Sequence, residues 1–110
     1  MNPDSQIIVP SSFVELFRLP GRHRLSEPHA HIAARHELCE DLAQMLTERA
    51  AAKLFELGIT EEDVLVRMHE GLVVDGALVS PAEAWWVTQR LAELLGWPAP
   101  ELPAPPPPGQ

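Results

Sequence analysis

The chain has 110 residues, 45% of them hydrophobic, with sixteen acids against eight Lys plus Arg and a net charge of −8. These figures fit one domain near the small end of what closes its own core. They exclude a generic binder of nucleic acid or anionic membrane, which needs a basic face. Cys39 is the sole cysteine, so no intrachain disulfide is expected. Met1–Pro10 is polar and carries Pro3 and Asp4, so no secretory signal is expected, and no run nears the ~18 apolar residues of a membrane span. A reducing cytoplasm is the expected compartment.

In chain order, Ile7-Ile8-Val9 is a short β-prone run ended by Pro10. Ser12-Phe13-Val14-Glu15 reads as a capping box, predicting a short helix from Phe13 to about Arg18. Leu19-Pro20-Gly21 breaks it, and a loop runs to Ser26. A long helix is predicted over His29–Leu57, capped by Ser26 or Glu27, with Pro28 in its first turn and Gly58 as its left-handed C-cap. Such a rod is about 43 Å long, too long for the remaining chain to cover on every side. On a helical wheel Ile32, Leu38, Cys39, Leu42, Met45, Leu46, Ala50 and Leu57 share an apolar arc, with Glu37, Asp41, Gln44 and Glu48 opposite. The arc spans nearly half the circumference, which suits two neighbours; the heptad spacing is not sustained, so no long coiled coil is expected.

Thr60 caps a third helix with Asp63 at the box position, Val64, Leu65, Met68 and Leu72 form its apolar stripe, and Gly71 ends or weakens it. Asp75-Gly76, flanked by Leu72–Val74 and Ala77–Val79, is a hairpin signal for a minor β-ribbon, which Ile7–Val9 could join. Ser80-Pro81-Ala82-Glu83 is the strongest helix start in the chain, and the helix runs to Leu95 before Gly96 and Pro98. The expected fold is therefore mainly α: a small helical bundle over residues 1–97, built on one long helix and a helical hairpin. A disordered Pro-rich tail, 98–110, is expected to follow, extended and polyproline-like.

No catalytic constellation is legible. The serines sit in loops or caps, the glycines are dispersed, and the paired carboxylates cap or face solvent. Leu54–Arg67 has the outline of a helix-turn-helix, but the would-be recognition helix opens Glu61-Glu62-Asp63, which phosphate repels. His29, His31 and His36 invite a metal reading. His29 and His36 lie about 10 Å apart along a helix, and only His36 with Glu40, at i and i+4, share an ion-holding geometry. An inter-subunit site using His36 and Glu40 is the form a metal-binding reading takes; no metal or other cofactor is expected. Trp86 projects from the side of helix four opposite Ala84, Val87, Leu91, Leu94 and Leu95. Beside Arg90 it forms an interface anchor, unless it lies under Arg90 or the N-terminal segment covers it.

The run Ile32–Ala43, continued by Leu57-Gly58-Ile59-Thr60-Glu61-Glu62-Asp63-Val64-Leu65 and later Arg90-Leu91-Ala92-Glu93-Leu94-Leu95-Gly96-Trp97, resembles a group of short proteobacterial proteins of unknown function. Such proteins are often labelled "ATPase with chaperone activity". The likeness covers roughly residues 8–97. This chain has no Walker-type loop, so the resemblance implies an accessory to such an ATPase. The expected function is a non-catalytic helical interaction module, an adaptor or accessory protein that dimerises through the long helix. Its expected interface residues are Trp86, Arg90, Leu38, Leu42, Met45, Glu37, Asp41 and Glu48, and its partner is a protein, not nucleic acid or membrane. An alternative is an acidic inhibitor that occupies the nucleic-acid site of a basic target.

Overall fold

His29–Leu57 forms one unbroken helix of 29 residues, labelled α2. Its length of about 43 Å nearly equals the long dimension of the molecule, 46 Å. The structure is a computed structural model and describes residues 8–21, 23–74 and 77–105. A short helix α1 (Ser11–Val14), continued by a 3₁₀ turn over Glu15–Phe17, precedes α2. Helices α3 (Glu61–Leu72) and α4 (Pro81–Leu95) follow it. The fold is mainly α, a small helical bundle, and no strand occurs among the described residues. No helix is long and apolar enough to cross a membrane among those residues.

Local chemistry sets most boundaries. Gly58 and Gly96 close α2 and α4 with φ of 63° and 72°, in the left-handed region that costs glycine little. Thr60 accepts from the Asp63 amide, and Ser80 with Glu83 forms the full reciprocal capping box. Three expected features are corrected. Pro10, not Ser12, stands at the N-cap of α1, and its carbonyl takes the Phe13 and Val14 amides. The α2 N-cap is Pro28, with no side-chain cap from Ser26 or Glu27. Gly71 does not end α3, which runs on to Leu72. The hairpin signal at Asp75-Gly76 and Ile7 of the joining strand lie outside the described residues, and Val73, Val74 and Ala77–Val79 form no strand.

Two apolar clusters line α2 in succession. Phe13, Ile32, Cys39, Ala43, Val79, Ala84, Trp86 and Val87 fill the first, where α1 and the start of α4 meet the N-terminal half of α2. Ala50, Val64, Leu65, Met68, Leu91 and Ala92 fill the second, where α3 and the end of α4 meet its C-terminal half. Leu46 packs against both. The buried stripe of α2 is thus Ile32, Cys39, Ala43 and Ala50, narrower than the expected arc. Its small side chains allow α4 close approach, and burial pushes the Cys39 thiol up to about 12. Met45 is two residues, some 200°, from Ala43, so it faces away and is 72% exposed.

Trp86 belongs to this core. It is 5% exposed and stacks edge-on against Phe13, with centroids 5.0 Å apart, and against His36 at 5.5 Å. Its indole N–H donates to the Ser12 hydroxyl at 3.0 Å. Of the two expected placements, the exposed anchor is overturned and coverage by the N-terminal segment holds: Ser12 and Phe13 of α1, with His36 of α2, close over Trp86.

Candidate protein-interaction surface

The outer face of α2 gathers six of the eight residues expected at an interface. Leu38, Leu42, Met45, Glu37 and Asp41 line one shallow depression of 390 Å³ with Ala34 and Leu78. The gathering is a consequence of helical spacing, since residues three and four apart share a face. Leu38 and Leu42 are half-buried and form the floor, while Met45 and Leu78 stand 72% and 69% exposed. Glu37 and Asp41 supply an acidic rim, extended along the same face by exposed Glu48. Among the described residues no basic nitrogen comes within 4.0 Å of these three carboxylates.

Leu78 is the member that sequence reasoning missed, because a loop delivers it. Arg35 holds that loop: its Nη2 donates to the Leu78 carbonyl at 3.0 Å. The same guanidinium donates to both Glu83 oxygens, at 2.8 Å and 2.7 Å. Burial alone would raise the Glu83 carboxyl. The Arg35 bonds and the Ser80 amide outweigh it and hold the group below the ordinary carboxylate range. Nothing in the sequence marks Arg35 and Glu83, 48 positions apart, as partners.

Trp86 and Arg90 do not join this surface. Arg90 lies on another side of α4, donating to both Glu40 oxygens at 2.9 Å and 3.0 Å and to Glu93 at 2.9 Å. That arrangement also bears on the His36–Glu40 pair considered for a metal. A guanidinium occupies the Glu40 carboxylate and, with Gln44, holds it below its ordinary range against the effect of burial. His36 sits edge-on to Phe13 and Trp86, and burial depresses its basicity, opposed by Glu40. No group of three His, Cys, Asp or Glu able to hold an ion occurs among the described residues.

The surface and its scaffold define a small helical bundle with an acid-rimmed apolar groove on its longest helix. Comparison with protein-family models, curated proteins and solved structures found no match to this chain.

Proposed function

We propose that the protein is a non-catalytic interaction module whose α2 outer face receives an amphipathic, basic segment of a partner protein. The observation that carries this reading is the contiguity of exposed Met45 and Leu78 with half-buried Leu38 and Leu42, inside a rim of unpaired Glu37 and Asp41. Fully burying a methionine or leucine side chain is worth about 1.5–3 kcal/mol, so seating a partner here is favourable. The rim decides the partner's charge. A two-fold dimer through this face would bring Glu37 and Asp41 of both copies into one interface, and that like charge weighs against a second copy.

The test is binding of a fluorescent Leu/Lys amphipathic helical peptide at low and high ionic strength. Binding that saturates, weakens with salt and falls at least tenfold in Met45→Asp supports the reading; Met45 is exposed, so the fold should survive. Binding indifferent to both salt and Met45→Asp overturns it, as does a stable homodimer in light scattering that Met45→Asp dissociates.

A further inference from the structure

The segment after α4 turns back along the helix it has just left. The Pro100 carbonyl accepts from the Gln89 side-chain amide at 3.5 Å, and the Glu101 amide faces a Glu62 carboxylate oxygen at 3.4 Å. Pro100 itself is buried. Five residues later Pro105 lines a 620 Å³ cavity with Pro81, Ala82 and Glu83, at the start of α4. The distances agree. From Gln89 back to Pro81 is about 12 Å of helix rise, and five residues of polyproline chain span about 15 Å. Residues 98–105 therefore lie antiparallel to α4, over the face on which Pro81, Trp85 and Gln89 recur at four-residue spacing.

Trp85 is the middle one of these three positions, and its indole N–H is buried with no hydrogen-bond partner in the structure. A buried donor without an acceptor costs about 1–3 kcal/mol, and such a group calls for an explanation. A polyproline chain is a row of unpaired carbonyl acceptors, preformed and cheap to order, and aromatic side chains are its usual floor. The face therefore carries two donors one turn apart. Gln89 is satisfied by a proline carbonyl, and Trp85 awaits one. On this face the segment is held by one hydrogen bond, Gln89 to Pro100 at 3.5 Å, and beyond it by the 3.4 Å contact of Glu101 with Glu62 of α3, both at the outer limit of hydrogen bonding.

We propose that the Pro81–Trp85–Gln89 face of α4 is a docking groove for an extended proline-rich segment of another protein. The chain's own residues 98–105 occupy it in cis as a displaceable strap. A better-matched ligand gives Trp85 the carbonyl that the strap leaves unsupplied. This surface is separate from the α2 face and does not depend on it.

The full-length chain carries the test, read from its three assigned indole N–H signals in ¹H–¹⁵N spectra. The probe is a synthetic all-proline decapeptide, whose carbonyls repeat without the leucine and alanine interruptions of the chain's own segment. A saturable downfield shift of the Trp85 signal is expected, with no response to the same peptide bearing alanine at every proline. Weakening the strap with Pro100→Ala and Pro105→Ala together should tighten binding by about tenfold, because the competing cis state is removed. A Trp85 signal unmoved in both chains, or an equal response to the alanine peptide, overturns the proposal.

Discussion

Replacing Glu83 with alanine tests the junction that organises both the bundle and the Leu78 loop. The side chain is 5% exposed, and it serves three donors: two from Arg35 and the Ser80 amide at 2.9 Å. Losing its half of the capping box costs about 1 kcal/mol. Breaking a buried ion pair from one side costs about 3–5 kcal/mol when the surviving charge stays buried. Arg35 keeps 27% of its side-chain exposure and can recover some hydration, so the lower end applies or is undercut. The sum is about 3–4 kcal/mol, a large share of the 5–15 kcal/mol typical of a domain. Urea unfolding followed by helical circular dichroism should show the midpoint fall at unchanged m-value. The double substitution Arg35→Met with Glu83→Leu should regain most of the loss, since an apolar pair leaves no charge stranded. A single-mutant loss below about 1 kcal/mol, or a double mutant no better than the single, would refute the reasoning.

Two further outcomes follow from the aromatic cluster. Trp86→Ala should lose about 3–5 kcal/mol, and Trp86→Phe only about 1 kcal/mol for the Ser12 hydrogen bond; a Trp86→Ala melting temperature equal to that of the parent chain would return Trp86 to the surface. Acid titration should also resolve two steps. His36 has its folded-state pKa below the ordinary 6.5, so the unfolded chain takes the proton more readily. Its contribution is fully present above 6.5 and is lost as pH falls from there through the folded value. Glu83 and Glu40, depressed from 4.5, are lost only below that. Stability of His36→Phe should therefore be flat with pH between these two thresholds; an unchanged upper step would assign it to another group.

What was legible in the sequence was local. Proline before His29, Gly58, the Thr60 and Ser80 caps and Gly96 act within four residues of themselves, and they place α2, the start of α3 and both ends of α4. The face shared by Glu37, Leu38, Asp41, Leu42 and Met45 was legible for the same reason, since one helix suffices to bring them together. What stayed hidden needed a second element. Ser12 is a good cap by composition, yet its hydroxyl serves Trp86, 74 positions away. The wheel put Met45 in the apolar arc and passed over Ala43, because only the approach of α4 decides which side of α2 is buried, and a close approach favours the smaller residue. Leu78 and the Arg35–Glu83 junction are tertiary throughout.

Coverage of α2 explains why an apolar groove survives on a folded chain. At 1.5 Å per residue α3 and α4 are about 18 Å and 22 Å long against about 43 Å for α2. Each covers part of the rod's length, and both lie on the side marked by Ala43 and Ala50, leaving Met45 uncovered. Exposure alone does not identify a docking surface: Phe55 is 87% exposed, and scattered apolar side chains are normal on soluble proteins. The Met45 surface differs because Leu38, Leu42 and Leu78 join it into one depression and because the charged side chains that line that depression, Glu37 and Asp41, are both acidic. Apolar contiguity and the unpaired Glu37 and Asp41 carboxylates beside it are the two features on which the proposed foreign, basic partner rests.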